Sequence, residues 1–186
     1  MQLPPAWTLG VFYAGSEILL GMSRRSRSSG PSRDRHSLRV LWWVILTAVA
    51  ASVYAANAFR YAHLGYRNLE WIGLLLFAAG ILLRWYSIIH LGRFFTVDVA
   101  ITAEHRVIDT GPYRLVRHPS YTGALIAFIG IGLYTRNWIS LLVLILPITA
   151  AFLWRIRIEE QALVDGLGED YRRYAARTKR LIPYLF

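Results

Sequence analysis

Five stretches of this chain, at about residues 7–22, 38–58, 69–91, 121–134 and 138–156, run with very few charges, and that pattern constrains the fold more than any motif does. A membrane-spanning helix needs about 20 apolar residues, with ~17 as the lower limit, so the first and fourth stretches are short. Hydrophobic residues make up 55% of the chain and the mean hydropathy is positive, beyond what a soluble domain of 186 residues displays. The chain therefore reads as an all-α, polytopic membrane protein of about five transmembrane helices. The fourth and fifth stretches are joined only by Thr135-Arg136-Asn137, enough for an antiparallel helical hairpin and too little for a folded loop. The first stretch has no basic leader or small-residue cleavage pattern and carries Glu17, so it is expected to be retained.

Charge sets the orientation, because Lys and Arg are preferentially kept on the cytoplasmic side. Connection 23–37 holds Arg24, Arg25, Arg27, Arg33 and Arg35, whereas the next holds Arg60 and Arg67. Connection 92–118 holds Arg93, Arg106, Arg114 and Arg117, whereas the short fourth holds only Arg136. Arginines cluster again after the fifth stretch, so the odd connections and the C-terminus are expected in the cytoplasm and the N-terminus outside. The formal charge of +10 is thus topogenic, and nucleic acid is not an expected partner. The absence of cysteine excludes disulfides, thiolate metal sites and a cysteine nucleophile, and no metal site is expected. Of the 21 Lys and Arg residues only Lys179 is a lysine, a bias of GC-rich coding that points to a bacterial inner membrane.

Polar residues gather at the predicted cytoplasmic edge, where ionisable groups are costly unless paired or wetted. The run Gly111-Pro112-Tyr113-Arg114-Leu115-Val116-Arg117-His118-Pro119-Ser120-Tyr121-Thr122-Gly123 precedes and enters the fourth stretch. Pro119 disfavours helix at His118 and suits the first turn of the next helix, placing Arg117 and His118 at the helix entrance. Free N–H groups there would favour a ligand carboxylate. Gly123, Ala127 and Gly130 form a smooth stripe that suits a flat ligand or a neighbouring helix equally well. On the fifth helix, Arg155 and Glu159 share one face while Arg157 and Glu160 share a neighbouring one, giving each carboxylate a possible partner. Adjacent carboxylates also suit the hydroxyls of a ribose or a cationic ligand, since they only accept hydrogen bonds. Glu17 and Arg84, both inside apolar stretches, either pair with each other or leave Arg84 to a pocket anion.

Connection 23–37 reads as a flexible loop that can touch anionic lipid, and Arg93-Phe94-Phe95-Thr96-Val97-Asp98-Val99 is expected to fold back over the site. Leu163, Leu167, Tyr171 and Tyr174 fall at helical spacings among arginines, which suits a C-terminal interfacial helix broken from the fifth span by Gly166 and Gly168.

Gly111-x-Tyr113-x-x-x-Arg117-His118-Pro119-x-Tyr121-x-Gly123, then Arg155-x-x-x-Glu159-Glu160-x-x-Leu163, then Gly168-x-x-Tyr171-x-x-Tyr174 and Pro183, resembles the isoprenylcysteine carboxyl methyltransferase family, which has phospholipid N-methyltransferase relatives. The resemblance is specific over about residues 69–186, including Leu91-Gly92-Arg93. It implies a single membrane domain over 1–186, with N-terminal spans and a loop in 1–68 and a cofactor-binding methyltransferase core in 69–186. It implies S-adenosyl-L-methionine as cofactor, bound by His118, Pro119, Tyr121, Gly123, Glu159 and Glu160, with Arg155 near the substrate carboxylate and Arg117 a second catalytic candidate. The expected reaction is carboxyl O-methylation of an isoprenoid or lipid-like acid, a lipophilic or prenylated substrate delivered from the bilayer. Phospholipid or amine N-methylation, an NADPH-dependent sterol-type reductase and a non-catalytic scaffold are the alternatives; Ala124 after Gly123 departs from the acidic residue that the reductases place there.

Overall fold

A computed structural model describes residues 3–23, 35–66, 68–94 and 106–185. Among them every named element is helical. α1 spans Ala6–Ser23, α2 Arg35–Ala58, α3 Asn68–Leu91, α4 Pro119–Tyr134, α5 Trp138–Leu167 and α6 Glu169–Arg177. Short 3-10 turns occupy Arg60–Ala62, Gly92–Phe94 and Gly111–Arg114. Residues 24–34 of the first connection and 95–105 of the third lie outside the described residues, so the expected flexible loop and most of the expected flap over the site do too.

Three helices are long and apolar enough to cross a bilayer: His36–Ala58, Asn68–Leu91 and Trp138–Leu167. α4 has 16 residues, about 24 Å of helix against an apolar core of about 30 Å. It is the innermost element, with Ala124 and Ala127 fully buried, so protein rather than lipid surrounds much of it. α3 packs along α4, α2 along α5, and the α4–α5 hairpin joins the two pairs, while α1 rests against α4. The chain is a multi-pass, all-α membrane protein.

The small-residue stripe of α4 packs on a helix. A Cβ on Gly80 of α3 would lie 2.4 Å from the Ala127 amide nitrogen, and one on Gly123 would lie 2.6 Å from that of Arg84. Gly130 repeats the pattern against Phe77 at 2.5 Å, so the two backbones touch with no side chain between them. Beside this seam Arg84 meets Glu17 of α1 through two bonds of 2.5 and 2.6 Å, and its Nη1 reaches the Ser120 carbonyl at 3.2 Å. The two charges inside the apolar stretches therefore neutralise each other.

At the end of the bundle opposite Ser120, the turn between α4 and α5 is tied down by backbone groups. Asn137 caps α5 by accepting from the Ser140 amide at 2.9 Å and donates to the Phe59 carbonyl at 2.8 Å. Arg136 donates to Glu70 at 2.9 Å, and its carbonyl accepts from the Leu64 amide at 2.6 Å.

The C-terminal helix differs from its expected extent. α5 continues through Leu163, Gly166 and Leu167, and the break falls at Gly168 alone, with φ +58° and ψ −127°, a region essentially open only to glycine. α6 is thus a nine-residue helix that carries Tyr171 and Tyr174.

The α3–α4 seam generates a paired prediction for thermal unfolding in detergent. Gly80→Ala forces a methyl into a backbone and is expected to destabilise by about 1–3 kcal/mol, the usual cost of overpacking. Gly10→Ala meets nothing within 4 Å on α1 and is expected to leave stability unchanged or raise it by up to about 1 kcal/mol. Equal melting temperatures for the two variants would contradict the close seam.

Candidate active site

The polar residues from three distant stretches meet at one end of the bundle. His118 caps α4 with φ −125° and ψ 58°, and Pro119 opens the first turn. The segment before it is held by the C-terminal tail: the Arg117 and His118 amides donate to the Lys179 and Arg180 carbonyls at 2.7 and 3.0 Å, and Thr122 Oγ1 donates to the Leu181 carbonyl at 2.8 Å. The tail therefore straps across the entrance of α4. The helix N-terminus offers a ligand less than its sequence suggests. Pro119 has no N–H, the His118 amide is used by Arg180, and the Tyr121 amide turns back to the His118 carbonyl at 3.1 Å, leaving Ser120.

Glu160 of α5 is the centre of this end. Its Oε1 accepts from Arg117 Nε at 2.7 Å and lies 3.2 Å from His118 Nε2, while its Oε2 accepts from Arg180 Nε at 2.9 Å. Arg117 extends the network by donating through Nη1 to the carbonyls of Ala175, at 2.9 Å, and of Thr178. The helical pairing of Glu160 with Arg157 is not formed in this way: Arg157 is exposed, and the tertiary arginines take the carboxylate.

Glu159 has a sparser environment. The Tyr121 hydroxyl donates to its Oε2 at 3.1 Å, and this is its one hydrogen bond among the described residues. The Tyr121 ring lies 5.8 Å from that of His118 and 5.1 Å from that of Phe152, forming an aromatic wall next to the carboxylate. Arg155, one turn before Glu159 on the same helix, is 2% exposed and donates to Ser37 Oγ at the start of α2.

Behind the cluster, the Tyr174 hydroxyl of α6 donates to the Tyr113 carbonyl at 2.7 Å, and the Tyr113 hydroxyl donates to the Ser87 carbonyl of α3 at 3.3 Å. Burial pushes both phenols well above their ordinary range, so they remain protonated donors at physiological pH. Arg177 pairs with Asp109 on the outside of the same turn.

Of the residues singled out from sequence, Arg117, His118 and Glu160 form one hydrogen-bonded cluster, and Tyr121 joins Glu159 beside Arg155. Pro119 sets the helix entrance. Gly123 faces α3, where it permits close approach of the Arg84 backbone. Arg180 is one of the arginines clustered after the fifth stretch, whose sequence signal is topogenic, and Ser37 and Thr122 carry no signal of their own. Nothing local marks these three, because each reaches its partner across 20 to 118 residues of chain.

Comparison with known proteins bears on the family and the fold. The phospholipid methyltransferase family matches residues 69–170. Protein-S-isoprenylcysteine O-methyltransferase B of Arabidopsis thaliana is 34% identical over 99% of this chain and 94% of its own. A probable protein-S-isoprenylcysteine O-methyltransferase of Oryza sativa subsp. indica is 28% identical over 94% of this chain and 92% of its own. The solved structure of a eukaryotic intramembrane Ras methyltransferase, isoprenylcysteine carboxyl methyltransferase, shares the fold with a TM-score of 0.61 at 22% identity, covering 100% of this chain and 70% of that one. The strapped entrance of α4 and the paired carboxylates of α5 fall within, or directly beside, the matched core, and the chain belongs to the isoprenylcysteine carboxyl methyltransferase family, relatives of the phospholipid methyltransferases, as an integral membrane methyltransferase.

Proposed function

We propose that this protein transfers a methyl group from S-adenosyl-L-methionine to the carboxylate of an isoprenoid or other lipid-like acid that enters from the bilayer. The observation that carries this reading is the unequal use of two adjacent carboxylates beside a buried arginine. Glu160 is engaged by Arg117, His118 and Arg180, whereas Glu159 retains acceptor capacity next to Arg155. In this reading Glu159 binds the cofactor, and Glu160 holds the walls of the pocket together.

The donor and acceptor chemistry fits the cofactor. Its ribose hydroxyls and amino group are donors suited to a carboxylate, and the Tyr121, His118 and Phe152 rings supply an aromatic wall. The cofactor supplies an activated methyl group on a sulfonium. The acceptor carboxylate, with an ordinary pKa of about 4, is ionised at neutral pH and needs no base. Arg155 orients it by a charge-assisted hydrogen bond and Arg117 keeps the opposite wall in place. Positioning alone can supply up to about 7–11 kcal/mol of a bimolecular barrier. The buried guanidinium of Arg155 also favours an acid over an amine: it attracts an anionic acceptor and repels an ammonium.

We place the protein in a bacterial inner membrane with five spans, α1 to α5, the N-terminus outside and the carboxylate cluster at the cytoplasmic face. α4 completes the count although it is short, because its burial spares it much contact with lipid. The chain lacks cysteine, so single cysteines introduced at exposed Tyr66 and Arg172 report topology without background. Labelling of intact cells by a membrane-impermeant maleimide is expected at position 66 and not at 172; the reverse pattern would overturn the orientation.

The direct test of function is transfer of radiolabelled methyl from S-adenosylmethionine in proteoliposomes. An S-farnesylated cysteine analogue with a free carboxyl is expected to become a base-labile methyl ester, and phosphatidylethanolamine is expected to remain unlabelled. Label in the phospholipid alone would replace this reading with N-methylation. Arg155→Ala is expected to lower turnover by roughly 10- to 100-fold, the worth of a charge-assisted hydrogen bond, while S-adenosylhomocysteine affinity in calorimetry stays within about threefold.

The two glutamates are expected to separate in their readouts. Glu159→Gln should weaken S-adenosylhomocysteine by about tenfold or more with little change in melting temperature, since one charged hydrogen-bond acceptor is lost. Glu160→Gln leaves cationic partners uncompensated and should destabilise the ligand-free protein by up to about 3–5 kcal/mol. Full affinity in Glu159→Gln, or unaltered melting of Glu160→Gln, would contradict this division of roles.

A further inference from the structure

Tyr171 of α6 is 4% exposed, and its hydroxyl has no hydrogen-bond partner among the described residues. Buried hydroxyls are nearly always bonded, and one without a partner destabilises the fold that holds it. The neighbouring phenol shows the contrast. Tyr174 lies with its ring 5.9 Å from that of Tyr171 and spends its hydroxyl on the Tyr113 carbonyl at 2.7 Å.

The position of Tyr171 relates this unsatisfied group to the proposed pocket. Tyr171 and Tyr174 are the buried residues of α6, so Tyr171 stands on the face that this helix turns toward the bundle. The Ala175 carbonyl of the same helix accepts from Arg117 Nη1 at 2.9 Å, and Arg117 Nε lies 2.7 Å from Glu160, so α6 packs at the Arg117–Glu160 corner. Burial, reinforced by the negative charges of Glu160 and Glu159, pushes its hydroxyl well above the ordinary phenol range. It is a protonated donor at neutral pH in a region where the adjacent groups on α5 are acceptors.

We infer that the Tyr171 hydroxyl is a ligand-binding group of this pocket and donates its hydrogen bond to a ribose hydroxyl of the bound nucleoside cofactor, an inference that rests on the S-adenosylmethionine reading above. A ribose hydroxyl matches both neighbours at once, because it donates to a carboxylate such as Glu159 while accepting from a phenol. The other polar groups of that cofactor match less well. An ammonium has no lone pair to accept with, and an ionised carboxylate has no hydrogen to donate to Glu159, so neither can bridge the two groups as a hydroxyl does.

The test uses the full chain in detergent, with calorimetric titration of S-adenosylhomocysteine and of its 2′-deoxy and 3′-deoxy analogues, and thermal unfolding without ligand. Tyr171→Phe is expected to bind S-adenosylhomocysteine about 5- to 10-fold more weakly, the worth of one hydrogen bond. Its ligand-free melting temperature should stay level or rise, since the substitution removes an unsatisfied buried hydroxyl. One deoxy analogue should lose affinity for the wild type and lose less for Tyr171→Phe. A raised melting temperature with unchanged affinity would show a hydroxyl buried by packing alone and overturn the inference. Undiminished wild-type affinity for both deoxy analogues would overturn it even if the variant failed to fold. A wild type that binds no S-adenosylhomocysteine would overturn the cofactor reading and Tyr171 with it, whereas tight wild-type binding with equal affinity in the variant removes Tyr171 only.

Discussion

A carboxylate on a membrane helix near the polar boundary must find cations or give up its charge, and Glu160 finds its partners in two places that the chain itself keeps far apart. Arg117 and His118 come from the turn before α4, and Arg180 comes from the tail after α6. Satisfying one residue thus binds the α4 entrance, α5 and the C-terminal segment into a single block. The backbone bonds from Arg117 and His118 to Lys179 and Arg180 follow from that closure and reinforce it. Because buried ion pairs cost desolvation, such a network specifies geometry more than it adds stability.

The apolar part of the bundle serves the same end by different physics. Lipid gives two apolar helices no hydrophobic reason to associate, so α3 and α4 hold together through close backbone contact at Gly80, Gly123 and Gly130. That contact places Arg84 beside the first turn of α4, where it bonds the Ser120 carbonyl and is neutralised by Glu17. α1, otherwise only lightly attached, is secured to α3 by this pair. Once both constraints are met, Glu159 remains the carboxylate with acceptor capacity, adjacent to the buried Arg155 and the Tyr121 ring. Two neighbouring residues of one type thereby come to stand in different surroundings.

Much of this was readable from the chain. The apolar stretches marked α1 to α5 to within a few residues, except that α5 runs on to Leu167, because helix length and apolarity are local properties. The pairing of Pro119 with His118 marked the entrance of α4 for the same reason. The ordered motifs over 69–186 identified the family. Alternatives that were symmetric in sequence stayed open until the helices were placed. The α4 stripe suited a ligand or a helix, and Glu17 and Arg84 suited each other or a pocket anion.

The sequence by itself determined the membrane class, the helical composition and the family, since these depend on apolarity and on the order and spacing of motifs along the chain. Only the tertiary structure decided which of those residues meet. Arg157 is the helical neighbour of Glu160, yet the partners Glu160 takes are Arg117, His118 and Arg180, and the buried hydroxyl of Tyr171 meets no partner among the described residues. The reason is physical. A buried charge takes the partner whose geometry and burial best compensate its lost hydration, and that choice depends on how helices pack across the whole chain rather than on distance along it.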